Sequence, residues 1–211
     1  MYFSDTGIVL LRQHTRESDR MAAVFTRAHG RINVRFPGAA KPQGRLKAMS
    51  EPLALCDYRL YQRSHSAVAS AAGGKIENVF PSLRADLDRT LLALSLCEIL
   101  FRLTPLSQPS EGKFELLRGA LLALDGGCPV EAMRAAFILR LMRLAGYGLD
   151  SPVLGIEPQF WLRLHEQPFA GLSVKGDGER DDAARAAHVA DRFVLSQLGR
   201  PLNHMTEFAK I

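Results

Sequence analysis

The chain has 211 residues, of which 47% are hydrophobic and 23% charged, and its formal net charge is +5. These proportions describe one large globular domain or two small ones with a buried core, and no apolar run reaches the ~18 residues that cross a bilayer. No basic stretch followed by an apolar one opens the chain and the three cysteines (Cys56, Cys97, Cys128) are far apart, so a cytoplasmic protein with free thiols is expected.

Between residues 7 and 79 the apolar residues come in short runs separated by Gly, Pro and polar clusters. They predict strands near Gly7–Gln13, Arg20–Thr26, Arg31–Phe36, Leu53–Tyr61 and Ala67–Val79, the last with a break at Gly73-Gly74. In the third, Ile32, Val34 and Phe36 share one face, which makes Phe36 a core residue, and Arg31 and Arg35 share the wet one. Five short strands in ~75 residues suit a Greek-key barrel of the OB-fold type.

From Pro81 the period becomes helical. Helices are predicted over Ser82–Leu103, Glu111–Leu124, Pro129–Tyr147 and Glu179–Leu198, with Pro105, Gly126-Gly127 and Gly146 as stops. Residues 148–178, rich in Pro and Gly, are expected to be irregular, with Phe160-Trp161-Leu162 as their apolar cluster. The fold class is therefore α+β: a five-stranded OB-fold barrel over 1–80, then an α-helical domain over 81–211.

The charge is lopsided. Residues 1–80 hold 12 Lys and Arg against 6 Asp and Glu, and the remainder hold 15 against 16. The stretch GRINVRFPGAAKPQGRLKAMSEP (Gly30–Pro52) carries Arg31, Arg35, Lys41, Arg45 and Lys47 against one acid, Glu51. Such asymmetry points to nucleic acid or an acidic membrane surface, with a merely solvated edge as the plainer alternative.

Catalytic patterns are near misses. Gly73-Gly74-Lys75 lacks the hydroxyl residue and upstream glycine of a phosphate loop, Gly146-Tyr147-Gly148 follows a helix, and His204 with Glu207 has no second ligand pair. Asp86 and Asp88 diverge on a helix, and no cysteine pair has metal spacing. The expectation is a non-enzyme with no cofactor and no metal.

Together these residues carry a resemblance. Glu17-Ser18, Phe25-Thr26, His29-Gly30-Arg31, Gly38-Ala39, Leu46-Lys47 and Glu51-Pro52 follow in the order found in the N-terminal domain of the bacterial RecO family of recombination mediators. The stretches FPSLRADLDRTLLALSLCEILFRLTP, FILRLMRLAGYGLD and LGRPLNH are similar to its helices and C-terminal close. The chain lacks the four-cysteine zinc module that many members carry after the Gly-Tyr segment, so it resembles the zinc-free branch. Packing around Phe160, Trp161 and Phe169 would take the module's place. Ala40 stands where the family often has another cation.

The resemblance implies an OB-fold, binding of single- and double-stranded DNA, annealing of complementary strands, and cooperation with RecR in placing RecA on strands coated by single-strand-binding protein. A nucleoid-associated location goes with that role, and no membrane partner does. Arg12, Arg16, Arg20, Arg31, Arg35, Lys41, Arg45 and Lys47 form the expected phosphate-facing set. Tyr2, Phe3 and Tyr61 are candidates for base stacking, with packing as their first reading. The family also grips the acidic, Phe-ended C-terminal tail of single-strand-binding protein, and Arg134, Phe137, Arg140, Leu141 and Arg143 are the residues expected to do so here. The alternative is an OB-fold protein-interaction adaptor with weak DNA affinity.

Overall fold

The computed structural model describes residues 1–13, 18–148 and 153–198. Five strands come first: β1 (Tyr2–Gln13), β2 (Arg20–Thr26), β3 (Gly30–Phe36), β4 (Leu55–Gln62) and β5 (Val68–Asn78). They close into a barrel in the order β1-β2-β3-β5-β4, with every seam antiparallel except β3–β5. This is the strand order of an OB-fold. The alternation in GRINVRF puts Ile32, Val34 and Phe36 inside with Val9, Val24, Tyr58, Leu60 and Ala69, so Phe36 is core as its spacing requires. The Phe36 and Tyr58 rings meet edge to face with centroids 5.9 Å apart, and the buried Tyr58 hydroxyl donates to the Met49 carbonyl at 2.8 Å.

β1 starts five residues before its predicted first residue. Its polar beginning is used structurally: the Asp5 carboxylate accepts from the Ala28 and His29 amides and meets His29 Nδ1 at 2.6 Å, tying the β2–β3 turn to β1. β5 is not broken at Gly73-Gly74. Gly73 and Gly74 stay in the ladder opposite Arg59 and Tyr58, and the register shift between Arg59 and Leu60 leaves Ala72 as the extra residue.

Among the described residues six α-helices follow: α1 (Pro81–Arg84), α2 (Leu87–Leu103), α3 (Glu111–Asp125), α4 (Val130–Leu144), α5 (Pro158–Glu166) and α6 (Gly176–Leu198). The helix predicted over Ser82–Leu103 is two. Asp86 separates them by capping α2, its carboxylate accepting from the Arg89 amide. The segment 148–178 is not irregular as expected. Glu157 caps α5 by accepting from the Phe160 amide, Pro158 suits a first helical turn, and Phe160, Trp161 and Phe169 are buried as the packing argument requires.

The chain divides into two compact units, Met1–Phe80 with Leu100–Phe114 and Pro81–Ile99 with Glu115–Ile211. The end of α2, the connection after it and the start of α3 thus group with the barrel. In that unit the Ser107 amide donates to the Arg31 carbonyl, and Leu106 bridges Arg31 in parallel. Gly30 makes this possible. It sits at φ +69, and a Cβ there would lie 2.2 Å from the Gln108 carbonyl oxygen.

Candidate nucleic-acid interface

The basic residues of the barrel fall into two groups with different surroundings. The larger group gathers where the β1–β2 hairpin end meets the β3–β4 connection. Ala40 donates its amide to the Ser18 carbonyl, and Gly38 donates to the Asp19 carboxylate at 2.8 Å, folding the connection against the start of β2. Arg20 reaches across the same junction to the Lys47 carbonyl, the Ser50 hydroxyl and the Glu51 carboxylate, the last at 2.5 Å. Arg12 takes the other oxygen of Glu51 at 3.2 Å. Arg35 lies 3.8 Å from Asp19 and is exposed.

Lys41, Arg45 and Lys47 are exposed and make no ion pair with any described residue. Among the described residues, then, Arg12, Arg20, Arg35, Lys41, Arg45 and Lys47 share one neighbourhood in which Asp19 and Glu51 are the paired acids. Arg16, the remaining β1–β2 cation of the expected set, lies outside the described residues. Arg20 is the least available, because its half-buried guanidinium is committed to holding the junction.

Arg31 does not belong with them. Its guanidinium lies over the Phe101 ring, 4.3 Å from the centroid, and its buried Nε has no hydrogen-bond partner among the described residues. Burial holds this guanidinium below the usual arginine range. The strand alternation correctly sends it outward, and there its guanidinium packs on a residue of the 100–114 stretch instead of standing open among the loop cations. Phe25, its register partner on β2, is likewise buried against Phe114. The continuous apolar runs of β1 and β2 (GIVL, AAVF) signal strands buried on both faces.

Tyr2 is 74% exposed and its ring lies 4.9 Å from that of half-buried Tyr61. Phe3 is partly buried against the barrel core and against His29, as its packing reading expects. Sequence reasoning missed Arg59 and Arg63, exposed at the end of β4. The alternation of DYRLYQR, with Tyr58 and Leu60 inside, places Arg59 and Tyr61 together on the outer face.

The residues expected to grip a peptide are mostly interior. Phe137 and Leu141 are fully buried in α4, and Arg134, 4% exposed, donates to Asp191 at 2.8 Å and to the buried Ser95 hydroxyl at 3.0 Å. Arg140 donates to the Leu164 and Gln167 carbonyls at the end of α5 and lies over the Phe169 ring at 4.4 Å. Burial first, and then neighbouring Arg143, bring its pKa down to about 10. Only Arg143 of the five is exposed. The helical spacing of these residues is that of a helix with a buried apolar side, whose Arg134 and Arg140 reach Asp191 and the carbonyls at the end of α5.

A different apolar cleft of about 360 Å³ opens between α3 and the turn after α5, lined by Gly119, Leu122, Ala123, Cys128, Phe169 and Ala170. The charges of Arg89 and Arg140 are felt at the Cys128 thiol, although burial dominates and raises that thiol to about 11. The other two cysteines are also buried, with thiols raised by burial to about 11 (Cys56) and about 12 (Cys97). None is a thiolate nucleophile near neutrality. No group of three His, Cys, Asp or Glu side chains is placed to hold a metal among the described residues.

A closed OB barrel with a cationic junction, continued by a helical region, defines the class. Comparison with known proteins gives the family. The family model for "Recombination protein O N terminal" matches residues 1–80, and that for "Recombination protein O C terminal" matches 84–151. The chain is 30% identical over 202 residues to the DNA repair protein RecO of Desulforudis audaxviator, covering 93% of this chain and 78% of that one. It is 30% identical to that of Syntrophus aciditrophicus and 32% to that of Pelotomaculum thermopropionicum, over 67% and 70% of this chain. These two matches span about half of those relatives' length, 54% and 56%. The chain belongs to the RecO family of DNA repair and recombination proteins.

Proposed function

We propose that this chain is a DNA-binding mediator of repair and recombination that makes and breaks no bond. It holds single- and double-stranded DNA on the barrel, anneals complementary strands, and acts with RecR to help place RecA on strands coated by single-strand-binding protein. The observation that carries the DNA reading is the cluster of Arg12, Arg20, Arg35, Lys41, Arg45 and Lys47 at one barrel junction, three of them without an acidic partner among the described residues. Annealing is limited by repulsion between two polyanions. Cations that neutralise phosphates lower that barrier and release condensed counterions, with a log–log salt slope of about −0.7 per single-strand phosphate.

The test is a salt series of oligonucleotide binding and annealing with wild type and a Lys41→Glu, Arg45→Glu, Lys47→Glu variant, checked for fold by circular dichroism. The variant is expected to bind more than about tenfold more weakly with a shallower salt slope. Binding and annealing equal to wild type would overturn the reading and leave the adaptor role.

For the tail of single-strand-binding protein, the cleft beside Phe169 replaces the α4 face. It is apolar, with the charge of Arg89 and Arg140 nearby, which suits an aromatic ring ending an acidic peptide. Anisotropy titration with such a peptide is expected to show weaker binding in Arg89→Glu, and unchanged affinity would remove the cleft as the site.

A further inference from the structure

We propose that the outer rung Tyr2–Tyr61–Ser70–Arg35, with Arg63 beside it, is a base-stacking site that makes the barrel prefer unpaired DNA strands to duplex. This rests on the DNA-binding reading above and specifies which form of the polymer the site takes.

The rung follows from register. Tyr2 on β1 pairs with Tyr61 on β4, Tyr61 pairs with Ser70 on β5, and Ser70 pairs with Arg35 on β3. Cross-strand partners share a face. Their chain neighbours Leu60, Ala69, Val34 and Phe36 point into the core and Phe3 packs against it, so these four point out. The rung crosses four of the five strands, aromatic at one end and cationic at the other.

Arg35, Tyr61, Arg63, Ser66 and Ser70 line a cleft of about 350 Å³. Its wall is built before any ligand arrives. The β4–β5 turn is held by Ser66 donating its amide to the Arg63 carbonyl, by Gln62 donating its side chain to the Ser66 carbonyl, and by the Ser66 hydroxyl bonded to both Val68 backbone groups. Tyr2 is held from the other side, where the Gln62 amide donates to the Met1 carbonyl. Preorganisation of this kind lowers the ordering cost of binding.

Tyr2 is largely exposed, and its ring is backed at 4.9 Å by that of Tyr61, which lines the cleft. Among the described residues Tyr61 is the one ring paired with Tyr2, and about three quarters of the Tyr2 surface is left in water. A nucleobase can stack there while Arg35 and Arg63 meet the flanking phosphates, and the serine hydroxyls offer sequence-tolerant hydrogen bonds. Duplex DNA keeps its base faces covered and can use only the cations. Arg35 also belongs to the junction cluster, so a strand lying along the cationic loop runs directly into the aromatic rung.

The experiment compares three ligands of equal length, a single strand, an abasic strand and a duplex, on wild type, Tyr2→Ala and the Lys41→Glu, Arg45→Glu, Lys47→Glu variant. Tyr2 is exposed at a strand end, so its truncation leaves the fold intact. Wild type is expected to bind the base-bearing strand about tenfold tighter than the abasic one. Tyr2→Ala should lose that advantage with no change in salt slope or duplex affinity, and a Tyr2→Trp variant should restore it and show fluorescence quenching on binding. If wild type holds the abasic strand as well as the ordinary one and Tyr2→Ala matches wild type, the stacking inference falls while phosphate binding stands. If none of the three ligands binds wild type, both fall.

Discussion

Arg31 and Arg35 lie two full alternations apart on β3, on the same outer face, and meet opposite surroundings. Around Arg31 the barrel wall is covered by the stretch from Leu100 to Phe114, and the guanidinium is stacked on Phe101. Around Arg35 the wall is open, bordered by a cleft and by the exposed connection that carries Lys41, Arg45 and Lys47. A strand pattern tells which face a side chain takes. Whether that face is dry or wet depends on what arrives from elsewhere in the chain, and here it arrives on one half of the strand only.

The most damaging way to break this contrast is to push the cover off. Gly30→Ala places a Cβ against the Gln108 carbonyl and forces a side chain into the left-handed region, a conformation costing about 1–3 kcal/mol before any clash. A loss of about 3 kcal/mol or more is expected in denaturant melts of the barrel, and a loss below about 1 kcal/mol would mean that the cover is not held at Gly30.

Next comes the paired truncation. Arg31→Ala should cost about 1 kcal/mol of stability through the lost ring contact and leave DNA affinity alone. Arg35→Ala should leave the melt within about 0.5 kcal/mol and make the salt slope of oligonucleotide binding shallower by about 0.7. Swapped outcomes would erase the distinction between the two ends.

The smallest effect sharpens the comparison by using the helical unit as a reference that DNA should not touch. There the Glu179 carboxyl is held below its ordinary value of 4.5, chiefly by the Lys175 amide and then by Arg163. Asp182 is held below 3.8, chiefly by Arg185 and then by the Glu157 amide. Carboxyls depressed in the folded state stabilise it fully above those ordinary values, and the stabilisation drains away as pH falls through the lowered ones. Acid titration followed at Trp161, the single tryptophan, should therefore show loosening of this unit below about pH 4. Glu179→Gln should weaken that pH dependence, and an unaltered acid transition would count against the role given to the carboxyl.

How far the sequence went can be read from individual elements. β2 spans the predicted Arg20–Thr26, one residue beyond its apolar run at each end, and the barrel closes as five short strands suggest. α5 was hidden because nine residues are too few for a helical period to stand out among Pro and Gly; its Glu157 cap was the available clue. The exposure of the loop cations Lys41, Arg45 and Lys47 was legible, since long charged side chains in a loop between strands stay in water. The fate of Arg31 was not, because its partner Phe101 lies far away in the chain. The partners of Arg134 and Arg140 were hidden for a related reason: regular spacing on a helix cannot distinguish a solvated guanidinium from one that reaches a carboxylate or a row of carbonyls on a neighbour.

The barrel is closed by its shortest seam. β3 and β5 meet over three register pairs, Asn33 with Val68, Val34 with Ala69 and Arg35 with Ser70. A ligand bridging Arg35 to Tyr61 therefore straddles the place where the cylinder would first come unbuttoned. Occupancy should slow amide hydrogen exchange across Val68–Ser70 more than in the longer β1–β2 ladder, making the bound polymer a clasp on the fold that displays it.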